Sequence, residues 1–169
     1  MTEIQKKVQE LGFALPSCPA PLAAYVPATR FGETIVVSGQ LPSVNGDLSD
    51  FCGQVPTGIS PEKAKNAAAI CFLNNLAAAM TLLEQGETLR LVQIQGFVQS
   101  EKDFHEQPAI LNGASELAVK ILGEYGRHAR TAVGVAALPK NASVEISCTF
   151  QVVPEKVRFN GRYNWIEKK

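Results

Sequence analysis

The chain has 169 residues, 46% of them hydrophobic, enough for one domain that builds its own core. Lysine plus arginine equal aspartate plus glutamate at 16 each, so no net field gathers nucleic acid or an anionic membrane over long range, which argues against a dedicated nucleic-acid binder. Cys18, Cys52, Cys71 and Cys148 stand far apart without a CxxC pair, and the only histidines are His105 and His128, so zinc-site spacing is absent. No apolar run approaches membrane-spanning length, and residues 1–12 are amphipathic and charged rather than a signal sequence. A cytoplasmic chain with reduced thiols is expected.

Residues 2–11 fit a short helix with Ile4, Val8 and Leu11 on one face, stopped by the prolines at 16, 19 and 21; this reads as an appended arm. Residues 23–29 and 33–38 read as two strands paired as a hairpin through Phe31-Gly32. The loop GQLPSVNGDLSDFCGQVPTGI follows, rich in turn residues and long enough to carry function. Ser60-Pro61-Glu62 starts a helix, in which Ala69, Leu73, Leu76, Met80 and Leu83 recur at helical spacing and Gly86 is the stop. Residues 90–98 read as a buried strand. A second long helix follows Pro108, with Ile110, Leu111, Ala114, Leu117, Ala118, Ile121 and Leu122 on one side and Gly126 as stop. Residues 131–137 and 143–153 are the last two strands; in the second, Val144, Ile146, Cys148, Phe150 and Val152 alternate with a polar face that includes Glu145. The order ββαβαββ predicts an α+β domain, two helices covering one face of a mixed sheet.

The segments AAYVPATRFGETIVVSGQLP, GFVQSEKDF and ARTAVGVAALPKNASVEIS, with the Ser60 helix between the first two, resemble the successive signature segments of the RidA/YjgF family of reactive-intermediate deaminases. The internal spacings fit as well: Tyr25 lies thirteen residues before Ser38, and Arg130 fifteen before Glu145. GRHARTAVGVAALP, with NGAS in the preceding helix, is similar to a longer-chain branch of that family. The resemblance spans residues 22–153, leaving 1–21 as an arm and 154–169 as a tail. It implies a chorismate-mutase-like fold, a homotrimer with ligand clefts between subunits, and hydrolysis of small 2-enamine or 2-imino acids such as 2-aminoacrylate to 2-keto acids and ammonia without a cofactor. Carried over residue by residue, it makes Arg130 the clamp for the substrate carboxylate and Glu145 the group that handles the attacking water. Tyr25, Ser38 and the Gly39 backbone then line the pocket. Asn112 matches a family asparagine, although its distance to the arginine is one residue longer here. Ala132 stands where archetypal members carry a cysteine.

The residue types suit that chemistry in their own right. A planar carboxylate takes two parallel charge-assisted hydrogen bonds from a guanidinium, and imine hydrolysis needs one carboxyl group that moves a proton from water toward the departing nitrogen. If the last two strands paired as a hairpin through residues 139–142, Arg130 would lie ~17 Å from Glu145 at strand rise. A shared site would then need Glu145 from a neighbouring chain. Small residues at 132, 134 and 136 would permit close packing against another surface.

Plainer readings stand beside these. Arg130 can be a solvated arginine, Glu145 a polar strand residue, Tyr25 a packed ring, Ser38 a turn cap and His105 a helix-start residue. Arg127 and His128 either help hold an anion or face solvent. Two other function classes stay open: a non-catalytic trimer that binds a small carboxylate, and an endoribonuclease, which the neutral charge and the lack of a histidine pair disfavour.

Overall fold

The helix start at Ser60 and the alternating strand after Ser143 appear where local chemistry puts them, whereas the first strand occupies Ala28–Phe31 rather than 23–29 and the fourth Ala129–Val135 rather than 131–137. The computed structural model describes residues 1–17 and 24–155. In chain order the elements are α1 (Glu3–Glu10), β1 (Ala28–Phe31), β2 (Thr34–Val37), α2 (Pro61–Met80), β3 (Glu87–Gln99), α3 (Gln107–Leu122), β4 (Ala129–Val135) and β5 (Val144–Pro154). Cys18, the prolines at 19 and 21, the expected strand start at Ala23 and the tail beyond Glu155 lie outside the described residues.

Five strands form one sheet in the order β1-β2-β5-β3-β4, antiparallel except for the parallel β3–β4 pair. The fold is therefore mixed α+β, with α2 and α3 on one face. Val144, Ile146, Cys148, Phe150 and Val152 of β5 are buried as their alternation predicts. They meet Ile35 and Val37 of β2, Leu89, Leu91, Ile94 and Val98 of β3, and the helix layer in a single core. The amino-terminal stretch is docked on this core: Thr2 and Gln5 close a capping box at the start of α1, which packs on α3 and buries Ile4 and Val8.

α2 begins as expected, the Ser60 side chain accepting from Lys63 N with Pro61 in the first turn. It is not a one-faced helix, however. From Cys71 to Ala79 every residue is buried, because the helix is enclosed by the sheet, by α3 and by the loop after β2. Two buried asparagines make that enclosure polar where it must be. Asn74 Nδ2 donates to Leu41 O and Ser43 O at 2.8 and 3.1 Å, and Asn75 Nδ2 donates to Cys71 O and Ile146 O at 2.8 and 2.9 Å. Leu83 and Gly86, assigned to the helix and its stop from spacing, lie beyond its end at Met80. Likewise α3 stops at Leu122 with Gly123 as its C-cap, and Gly126 closes the 3-10 turn that follows.

The expected hairpin between the last two strands does not form. β3 lies between β4 and β5, pairing parallel with the first and antiparallel with the second. A strand leaving a crossover helix can lie parallel beside the strand that entered it, and β3–α3–β4 is such a unit. The small residues of β4 also serve a different neighbour from the one expected. Ala132 packs on the core, and a Cβ on Gly134 would meet Gln107 Nε2 and Ser100 Oγ. On β3, a Cβ on Gly96 would strike the Leu111 side chain. These small residues let the protein's own α3 lie close on β3 and β4.

Candidate functional site

Arg130 is the second residue of β4, an edge strand, and pairs in register with Ile94 of β3. Ile94 is fully buried under the helices, so the Arg130 side chain rises on the helix-covered side of the sheet. There it meets α3: Arg130 Nη1 donates to Asn112 Oδ1 at 2.9 Å and to Ser115 Oγ at 3.1 Å. Asn112 and Ser115 are three residues apart on one helix, hence on one face. A terminal guanidinium nitrogen has two hydrogens, and both on Nη1 are used. Nε and Nη2 meet no partner among the described residues. Their N–H groups form the side-on edge that binds a carboxylate through two parallel hydrogen bonds.

The neighbouring polar residues divide. Arg127 is exposed and paired with Glu124 at 2.9 Å. His128 is half-buried with both ring nitrogens engaged, Nδ1 against Gly126 O at 2.6 Å and Nε2 against Ser115 Oγ at 3.0 Å. It therefore has no free donor for an anion. Burial lowers its pKa below the usual imidazole value, and the nearby Arg130 cation adds to this against the Gly126 hydrogen bond.

Glu145 is in a different place. It pairs in register with Phe97 of β3, between buried Val144 and Ile146, so it points to the side of the sheet away from the helices. The β2 side advances four residues, from Val36 to Gln40, while β5 advances three, from Thr149 to Ile146. This irregularity brings Gly39 beneath the Glu145 carboxylate, which occupies the space a Cβ there would need. No hydrogen bond reaches that carboxylate among the described residues, and burial raises its pKa above the usual carboxylate range. Ser38 Oγ donates to Val26 O at 2.7 Å and Ser38 N to Pro27 O at 2.9 Å, fastening the segment that carries Tyr25 to the end of β2. Tyr25 is 58% exposed.

The sequence-predicted residues thus fall into two clusters within one chain. Arg130 and Asn112 meet on the helix side at the β4 edge; Glu145 and Gly39 meet on the open face, with Ser38 next in chain. Glu145 and Arg130 pair with β3 residues three apart, ~10 Å along the strand and two strand spacings across, or ~14 Å in all before the opposite directions of their side chains are added. This replaces the hairpin distance and separates the two charges more firmly. Sequence reasoning missed Ser115 as a partner of Arg130. The signal was present, because NGAS sets Ser115 one helical turn after Asn112. His105 is exposed just before α3, and His128 follows its far end, so a 16-residue helix, ~24 Å long, stands between the two histidines. Among the described residues no cluster of three or more His, Cys, Asp or Glu is placed to hold a metal, and no helix is long and apolar enough to cross a membrane.

The family model described as Endoribonuclease L-PSP matches residues 16–152. The chain belongs to this family, the RidA/YjgF family. The chain is 37% identical over 152 residues to Protein TCP17 of Trypanosoma cruzi, covering 88% of this chain and 94% of that one. It is 30% identical over 131 residues to a 2-iminobutanoate/2-iminopropanoate deaminase of Dermatophagoides farinae, covering 78% and 88%. Among solved structures, the protein Atu1372 of unknown function from Agrobacterium tumefaciens superposes with a TM-score of 0.80 at 42% identity, covering 89% of this chain and 93% of that one.

Proposed function

We propose that the protein hydrolyses small 2-imino acids, and the 2-enamines that tautomerise to them, to 2-keto acids and ammonia in clefts between the subunits of a homotrimer with the chorismate-mutase-like arrangement. The observation that carries this reading is the state of Arg130: one guanidinium nitrogen is spent on Asn112 and Ser115 while the Nε–Nη2 edge has no partner among the described residues. An arginine fastened from behind with its bidentate edge left open is built to receive a planar anion. The relative from Dermatophagoides farinae, named for 2-imino acids that carry such a carboxylate, supports the same class of ligand.

The second group needed is a carboxyl that exchanges a proton with water. Glu145 is half-buried with a raised pKa and, among the described residues, no hydrogen-bonding partner of its own. As water adds to the imine carbon, Glu145 takes a proton from the water and passes it to nitrogen, giving the carbinolamine. It then takes the carbinolamine hydroxyl proton and passes it to nitrogen as the C–N bond breaks, leaving the keto acid and ammonia. Since the two charges cannot meet within one chain, Arg130 of one subunit faces Glu145 of the next. Tyr25, Ser38 and the Gly39 backbone come to the cleft with Glu145, and Asn112 with Arg130. Free imines hydrolyse unaided, so orientation and a preorganised field supply the acceleration.

The separation of the charges also favours a second reading, a trimer that binds a small carboxylate at Arg130 without turning it over. Release of ammonia and 2-keto acid from a freshly generated 2-imino acid, compared with the Arg130→Ala variant and with a neutral imine, decides between them. Acceleration restricted to the carboxylate substrate and lost in the variant supports the deaminase. Pyruvate binding that depends on Arg130, without any acceleration of hydrolysis, establishes the binding protein instead.

A further inference from the structure

We propose that Ser115 and His128 are positioning residues that hold the Arg130 guanidinium in its anion-receiving pose through a hydrogen-bond relay with one allowed arrangement of protons. The inference rests on the reading of Arg130 as a carboxylate clamp and concerns how that clamp is aimed.

The relay follows from counting donors and acceptors. The Gly126 carbonyl can only accept, and it lies 2.6 Å from His128 Nδ1, so Nδ1 carries the ring hydrogen. In the neutral ring Nε2 is then a bare acceptor. Ser115 Oγ lies 3.0 Å from Nε2 and 3.1 Å from Arg130 Nη1. Arginine has no acceptor, so the serine oxygen accepts from Arg130 and its hydroxyl hydrogen goes to His128. Asn112 Oδ1 takes the other Nη1 hydrogen. Every polar atom from Gly126 O to Arg130 Nη1 is paired in this one way, and the other neutral tautomer would set a bare His128 Nδ1 against the Gly126 carbonyl.

The relay joins three parts of the fold: the turn after α3, one face of α3, and the edge strand β4. A long arginine side chain has several rotatable bonds. Fixing Nη1 from two directions fixes the plane of the guanidinium, and with it the direction in which the Nε–Nη2 edge points. Burial lowers the His128 pKa and so favours the neutral ring that the relay needs. His128 is thus a supporter of Arg130 rather than a second cation for the ligand, one of the two roles its sequence position left open.

The test uses the full chain, with pyruvate as the non-reacting carboxylate probe and a 2-imino acid as substrate. Ser115→Ala and His128→Leu should weaken pyruvate binding and raise KM about 10-fold, as expected for losing one hydrogen bond to a charged group. Their kcat should fall less, because a misaimed clamp weakens ground and transition states alike. His128→Gln, whose amide oxygen can reach the place of Nε2, and Ser115→Thr, which keeps the hydroxyl, should restore most of the binding. Nitrogen-15 NMR of the unmodified protein at neutral pH should show His128 neutral with its hydrogen on Nδ1; this reading stands even where a variant fails to fold. A charged His128, or a hydrogen on Nε2, overturns the relay. So do Ser115→Ala and His128→Leu variants that fold and bind pyruvate like the wild type while Arg130→Ala does not, a result that leaves the clamp intact. If Arg130→Ala itself binds pyruvate normally, the clamp fails, and the relay's purpose with it.

Discussion

Two hydrogens on one nitrogen separate Arg130 from an ordinary surface arginine, and a missing Cβ separates Glu145 from an ordinary strand glutamate. On the proposed reading, the first difference makes Arg130 a binding group. Arg130→Ala should therefore remove both pyruvate binding and turnover, while Glu145→Gln keeps the binding and slows turnover about 100-fold, the usual reach of a general acid–base group; calorimetry and an ammonia-release assay read the two effects separately. The raised pKa of Glu145 fixes the sign of the pH effect. A base must be ionised, so kcat should fall with decreasing pH through a pKa above the ordinary value of 4.5. That acidic limb should vanish in Glu145→Gln. The glycine supplies an independent check, because an added methyl at Gly39 would displace the carboxylate rather than remove it. Gly39→Ala should lower kcat by up to about 100-fold, the penalty for moving a catalytic group about 1 Å.

At the scale of elements, the pieces that local chemistry specifies were legible and the pairings that distance specifies were not. Ser60 and Pro61 announce α2 because the cap and the preset φ act within one turn. The alternation from Val144 to Val152 announces β5 because one face of the sheet is covered. The enclosure of α2 was hidden, since Asn74 and Asn75 look like polar-face residues until the loop carbonyls of Leu41 and Ser43 and that of Ile146 are brought to them. The partner of β4 was misread from its short connection to β5; the helix between β3 and β4 was the better guide. One pairing across the sheet carries its own prediction. Arg30 of β1 forms two hydrogen bonds with Glu87 at the start of β3, at 2.6 and 2.7 Å, and donates further to Leu82 O and Gly32 O. The Arg30 hydrogen bond chiefly lowers the Glu87 pKa from 4.5 to about 2. A depressed carboxylate contributes stability that is fully present above its unfolded value and is lost as pH falls through the folded one. Urea unfolding between pH 5 and 2 should show that loss in the wild type and a smaller loss in this window for Arg30→Met; equal slopes would remove the pair from the acid response.

For the whole molecule, the two clusters set the requirement. Arg130 with Asn112 and Ser115 lies at the β4 edge on the helix side, and Glu145 with Gly39 lies on the open face. Of this candidate site, the residue types and their spacing were legible from Tyr25, Ser38, Arg130 and Glu145. Their division between two faces was not, because it depends on which strands neighbour β3. Sedimentation should find three copies of the 18.2 kDa chain, and the shared cleft itself is tested by mixing subunits. Arg130→Ala and Glu145→Gln chains, each nearly inactive alone, are combined under conditions in which labelled chains are shown to exchange. If each cleft takes its arginine from one subunit and its glutamate from the next, random trimers made from equal amounts rebuild about one intact cleft in four, and about a quarter of wild-type imine hydrolysis should return. Complete exchange that restores no activity would contradict the shared cleft.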